Sequence, residues 1–215
     1  MKTKIIVWLA ILAAALVQPV AAQHSLGGNG PYDPAVPTPR AVLGYELGDY
    51  FTQHHRIVKY AERLAATSRR VRLDTTAVTF EGREVLLAII TSERNQQSIE
   101  QIKRNAQRLA DPRGIPAGEL SNLTTSLPSI VWLGFTVHGP EASGVEAALA
   151  MMYQLAAGQD AETRMILDST VVLIDPVQNP DGHERHAQDV LRARSSQWIP
   201  PIGSALIHQG TWPGP

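Results

Sequence analysis

Apolar positions along this chain change period, and the changes divide it into elements. Behind Lys2 and Lys4, residues Ile5 to Val17 form an apolar run. That run is shorter than the roughly 20 residues a membrane-spanning helix needs, and Val20-Ala21-Ala22 is a small-residue cleavage pattern. Residues 1–22 are therefore expected to be a signal peptide, with a mature start at Gln23. The product is expected to be secreted or periplasmic, with no stable membrane association after cleavage. A Gly/Pro-rich lead-in follows over residues 23–40. Its glycines neither follow a strand nor open a helix, so they carry no phosphate loop.

From residue 41 the pattern alternates between helical and strand periods. Ile57, Tyr60, Ala61, Leu64 and Ala65 recur at helical spacing and predict a helix over about Tyr50–Ala66. Strands are predicted near Val71–Phe80 and Val85–Thr91, on either side of the turn Glu81-Gly82-Arg83, and a polar, basic helix over Ile99–Leu109. Ser129-Ile130-Val131-Trp132-Leu133-Gly134-Phe135-Thr136-Val137 is nearly all apolar and strand-forming, and predicts a strand buried on both faces. Ser143 and Glu146 have capping-box spacing, and Val145, Leu149, Met152 and Leu155 then continue a helix up to Gly158. Another buried-strand pattern runs over Ser169–Asp175. Strands alternating with helices predict a single α/β domain over residues 41–215.

Composition narrows the class. Hydrophobic residues make up 44% and charged residues 18% of the 215, enough apolar material for a packed core. A formal net charge of −1 provides no electrostatic footprint for nucleic acid. With no cysteine, disulfides, thiolate metal sites and cysteine nucleophiles are excluded, so any metal must be held by nitrogen and oxygen. No Gly-x-Ser-x-Gly elbow of a serine hydrolase is present.

The chemistry concentrates where the apolar run over residues 129–137 ends. His138 and Glu141 stand three apart there, a spacing that lets two side chains converge on one ion. Catalytic zinc sites use three protein ligands and keep a fourth position for water, and a His/Glu mixture suits them. The alternative is that His138 only caps the strand and Glu141 faces the positive end of the next helix. Open α/β sheets bind ligands at the carboxyl ends of their strands, which is where this pair falls. Further on, Asn179-Pro180-Asp181-Gly182 is a strong turn signal. His183 and His186 are also three apart, but they flank Glu184 and Arg185 and read as a solvated face.

A strand ending in His138-Gly139-Pro140-Glu141, a small-residue and acidic stretch opening a helix (Ala142-Ser143-Gly144-Val145-Glu146-Ala147-Ala148-Leu149), and a second strand ending in Asn179-Pro180-Asp181-Gly182 together resemble the zinc carboxypeptidases, the M14 metallopeptidases. The segment from about Pro37 to Ser92 is also similar to secreted bacterial members. The resemblance implies a three-layer α/β/α fold with a mixed, largely parallel central sheet, incomplete at the C-terminus of this chain. It implies one Zn²⁺ per chain, held by His138, Glu141 and a later His, and hydrolysis of C-terminal peptide bonds of peptide or protein substrates by metal-activated water. Its carboxylate-binding Asn-Arg pair and general-base Glu are expected beyond Pro215. His208 lies before the place of the third ligand and reads as a loop residue. An oxyanion-stabilising arginine is implied near Arg192 or Arg194, and an exposed basic helix face remains the alternative for both. The 215-residue chain alone is expected to be inactive and prone to aggregate along an exposed sheet edge. Two rival functions remain open, a noncatalytic secreted binding module and a zinc-dependent deacylase of small amides.

Overall fold

The computed structural model describes residues 30–193. Residues 1–22, expected to be a signal peptide, and Arg194 and His208 lie outside the described residues. A short helix α1 (Pro39–Leu43) comes first, with Thr38 Oγ1 accepting from the Ala41 amide and Gly44 closing it at φ 86°. Proline inside the start and a left-handed glycine past the end are the start and stop residues a helix favours.

Helix α2 (His54–Thr67) buries Ile57, Tyr60, Ala61 and Leu64, the stripe its periodicity predicts. It starts four residues later than Tyr50, and the reason is tertiary. The Thr52 amide donates to Glu146 Oε1 at 3.0 Å and the His54 amide to Glu184 Oε2 at 2.9 Å. Gln53 stands at the N-cap but its side chain caps no helix amide and donates instead to Glu184, so a carboxylate far along the chain serves as the cap.

Strands β1 (Val71–Val78) and β2 (Glu84–Ile90) form an antiparallel hairpin, with Gly82 at φ 80° in its turn. Helices α3 (Glu93–Gln97), α4 (Ile99–Ala110) and α5 (Ala117–Ser126) lead to β3 (Ser129–Gly134). Helices α6 (Ala142–Ala157) and α7 (Ala161–Ser169) then cross over to β4 (Thr170–Asp175), and α8 (Pro180–Ala193) follows. The sheet order is β1-β2-β4-β3. The fold is α/β with a mixed sheet, as expected, and the parallel pairing among the described strands is that of β3 with β4.

Alternate residues Leu86, Ala88 and Ile90 of β2, with Val172 and Ile174 of β4, face a core shared with α2 and with Val145, Leu149 and Met152 of α6. The two-residue period of a strand sets Val171 on the opposite side of β4, where it too is buried.

One strand corrects the sequence reading. β3 was expected to be buried on both faces, yet Ile130, Val131 and Trp132 are 46%, 39% and 65% exposed. β4 is the covered strand, because it pairs on both sides while β3 lies at the edge of the described sheet. An exposed apolar edge templates pairing with other chains. Replacing Trp132 with lysine is therefore expected to raise the soluble yield of the 215-residue chain while changing its stability by no more than about 0.5 kcal/mol. Light scattering and urea denaturation of both forms check this, and unchanged aggregation would refute it.

Candidate metal centre

The carboxyl end of β3 turns sharply. Beyond Gly134 the backbone still pairs with the end of β4, the Phe135 amide donating to the Asp175 carbonyl at 2.9 Å. Thr136 then adopts φ 52°, the left-handed region that a β-branched residue seldom enters. It is held there by its neighbours. Thr136 is buried, its Oγ1 donates to the Glu141 carbonyl at 3.1 Å, and its carbonyl accepts from the Asn179 amide at 3.2 Å. This elbow directs the chain out of the sheet just before His138.

His138 and Glu141 meet on the far side of it. The imidazole Nδ1 lies 3.1 Å from Glu141 Oε1, and both side chains are about half exposed, at 48% and 51%. Glu141 occupies the N-cap position of α6 but makes no side-chain cap there, which leaves its carboxylate to the histidine. The capping box expected from Ser143 and Glu146 does not form. Glu146 is buried instead and receives the amides of Thr52 and Gly48, at 3.0 and 3.3 Å. Burial pushes its carboxyl above the usual range, against the lowering effect of those hydrogen bonds.

The second motif opens a helix where the sequence indicated a turn. Asn179 Oδ1 accepts from the Gly182 amide at 2.9 Å and Pro180 takes the first position of α8. Asparagine as cap and proline at the first turn are start signals whose composition is shared with turns. Asp181 locks that first turn to the β1–β2 hairpin. It accepts from Thr79 Oγ1 at 2.7 Å and from Arg83 Nη1 at 2.7 Å, while Arg83 and Arg185 both bind Glu81. Burial raises the Asp181 carboxyl, but the bonds from Thr79 and Arg83 outweigh it and leave it below its ordinary value.

The two motifs touch backbone to backbone. A methyl placed on Gly139 would meet the Gly182 carbonyl carbon at 2.1 Å and the His183 nitrogen at 2.4 Å. Gly144 is similarly close to Thr136, whose Oγ1 would lie 2.6 Å from an added methyl. The small residues of the helix start thus admit the elbow and the second motif at contact distance.

The remaining sequence candidates separate. His183 and Glu184, read as a solvated face, are both buried, at 0% and 6% exposure. The helical period of α8 turns them toward the N-terminal end of α2, where their nitrogen and oxygen atoms find main-chain partners. His186 is half-buried with its ring edge-on to Phe51, at 5.2 Å between centroids. Arg192 is exposed and pairs with Asp189 at 3.3 Å, in keeping with a basic helix face. The roles of His183, Glu146 and Glu184 had no local signal, because each depends on contact with residues 48–54.

The donor set fits zinc. Two ligands about 2.0–2.2 Å from a tetrahedral ion stand about 3.4 Å apart, close to the separation of His138 Nδ1 and Glu141 Oε1. Among the described residues, no group of three or more His, Cys, Asp or Glu side chains surrounds a common point. A third ligand is therefore not supplied by those residues.

Fold and site together define an α/β domain with a nitrogen–oxygen donor pair at the carboxyl end of its sheet. The chain belongs to the zinc carboxypeptidase family: the model of the M14 peptidases, described as zinc carboxypeptidase, matches residues 57–199. Among solved structures it is similar to the carboxypeptidase A from Helicoverpa armigera, at 18% identity and a TM-score of 0.42, with 61% of this chain and 25% of that chain covered. The chain thus spans a quarter of the length of that enzyme. No curated protein matches it.

Proposed function

We propose that this protein is a zinc-dependent metallocarboxypeptidase that removes C-terminal residues from peptides or proteins outside the cytoplasm. The observation that carries the reading is the convergence of His138 Nδ1 and Glu141 Oε1 at 3.1 Å, at a strand end and in a family of zinc carboxypeptidases. His138 and Glu141 would hold one zinc, which when bound lowers the pKa of its water toward roughly 7 and polarises a carbonyl.

The chain's own contribution is placement. Half exposure of both donors leaves them open to an incoming ion and substrate. The Thr136 elbow and the packing of Gly139 on Gly182 fix the loop between them, so that the donors need not be ordered at the moment of binding. The first turn of α8, bound through Asp181 to the hairpin, gives that loop a rigid backing. Extracellular placement is supported by the signal-like start of the sequence and predicts mature protein beginning at Gln23, which N-terminal sequencing checks.

The intact protein is expected to carry about one zinc, and His138→Ala and Glu141→Ala each to reduce it below detection, since removing one ligand leaves an incomplete site. Atomic absorption after dialysis measures this; full zinc retention in both variants would sink the assignment. Release of C-terminal amino acids from peptides, abolished by a chelator, tests the reaction. In the intact protein, cleavage of N-acyl amino acids in place of peptides would establish the deacylase, and zinc binding with neither activity the noncatalytic module.

A further inference from the structure

His183 is wholly buried, yet both of its ring nitrogens are turned toward main-chain carbonyls. Nε2 lies 2.8 Å from the Thr52 oxygen, in the segment before α2, and Nδ1 lies 3.2 Å from the Gly139 oxygen. Gly139 stands between the two metal donors, and its backbone is already pressed against Gly182 and His183. A ring serving only to fill space would be more stable there as a hydrocarbon, since buried polar atoms favour folding only through the bonds they make.

We propose that His183 is the positioning residue of the metal loop. Carbonyl oxygens only accept, so the tie is made by the doubly protonated ring, whose Nδ1–H donates to the Gly139 carbonyl and whose Nε2–H donates to the Thr52 carbonyl, and it sets how His138 and Glu141 face each other. The functional meaning of this tie rests on the zinc reading; the tie itself does not. Outer-shell partners of this kind commonly contribute about 10–100-fold to metal affinity. Thr52 is in turn fixed by Glu146 through its amide, so the loop is referenced to the start of α2 and to α6, not to solvent.

Amide side chains can separate the two halves of the tie. The nitrogen of asparagine falls near the place of Nδ1 and that of glutamine near the place of Nε2, so His183→Asn retains the bond to Gly139 and His183→Gln the bond to Thr52. His183→Phe retains neither. The amides of Glu141, Ala142 and Gly144, which donate within the loop, report on its order by hydrogen exchange. They are expected to exchange about tenfold faster in His183→Gln and His183→Phe than in the wild type, the equivalent of one lost hydrogen bond, and near the wild-type rate in His183→Asn.

Zinc affinity, measured with Zn²⁺ against a competing chelator, is expected to fall about 10–100-fold in the same two variants and to be retained in His183→Asn. Leu64→Ala, a destabilised core variant remote from the loop, serves as the control for general loosening. Loop exchange in His183→Phe no faster than in Leu64→Ala, or equal exchange in the Asn and Gln variants, overturns the proposal. If the Phe variant does not fold, the comparison of Asn with Gln decides alone. Divided exchange in a protein that binds no zinc even as wild type upholds the tie and refutes the metal reading.

Discussion

Gly139→Ala is expected to destabilise the protein by about 3 kcal/mol, near the upper end for overpacking, and, on the proposed zinc reading, to abolish metal binding. The added methyl would sit 2.1 Å from the Gly182 carbonyl carbon, 2.4 Å from its oxygen and 2.4 Å from the His183 nitrogen. All three are main-chain atoms, so no flexible side chain can swing away. Relief requires the first turn of α8 to retreat from the loop. Asp181 resists that retreat through Thr79 and Arg83, and Asn179 caps the same turn. The strain therefore falls on the loop itself, parting His138 from Glu141. Urea denaturation together with metal analysis checks both halves. A variant of wild-type stability with bound zinc would show that the two motifs are not packed as described.

Asp175→Asn is expected to make the protein more stable at pH 7, by up to about 3 kcal/mol, and to flatten its stability between about pH 4 and 6. Asp175 ends β4, beside Gly134 of β3, and is buried with Oδ1 lacking a hydrogen-bond partner among the described residues. Burial pushes its carboxyl up to about 6, and the bond from the Val177 amide only partly offsets that. The folded state thus holds the proton more tightly than the unfolded state. Below an unfolded value of about 3.9 both states are protonated and the burial of charge costs nothing. As pH rises to about 6 the folded protein must ionise a buried acid, and stability falls. Glu184 acts in the opposite sense. Burial raises its carboxyl, but bonds from Gln188, the His54 amide and Gln53 outweigh it, so its contribution is lost on acidification. The difference between wild-type and Asp175→Asn denaturation curves across pH isolates the Asp175 share. Parallel curves from pH 4 to 7 would refute the assignment.

Much of the fold was legible because period and face are local properties. The stripe Ile57, Tyr60, Ala61, Leu64 and the alternation through β2 name the apolar side of each element before any partner is known. The approach of His138 to Glu141 was legible for the same reason, since three residues of one turn suffice to bring them together. The errors share a different cause. Asn-Pro-Asp-Gly carries the same composition whether it turns a chain or caps a helix, and the contacts of Asp181 with Thr79 and Arg83 accompany the second outcome. The exposure of β3 depends on which strands flank it, and its own apolar run is silent on that.

From sequence alone come the alternation of strands and helices, the nitrogen–oxygen donor pair at a strand end, and the ordered motifs that resemble the zinc carboxypeptidases. Tertiary structure alone decided that Glu184 caps α2, that Glu146 leaves its own helix start to hold Thr52 and Gly48, and that His183 lies between Thr52 and Gly139. Hydrophobic burial acts on any apolar atom removed from water and so can be read as a pattern along the chain. A buried hydrogen bond needs one particular partner at about 3 Å, and for these residues that partner lies dozens of positions away.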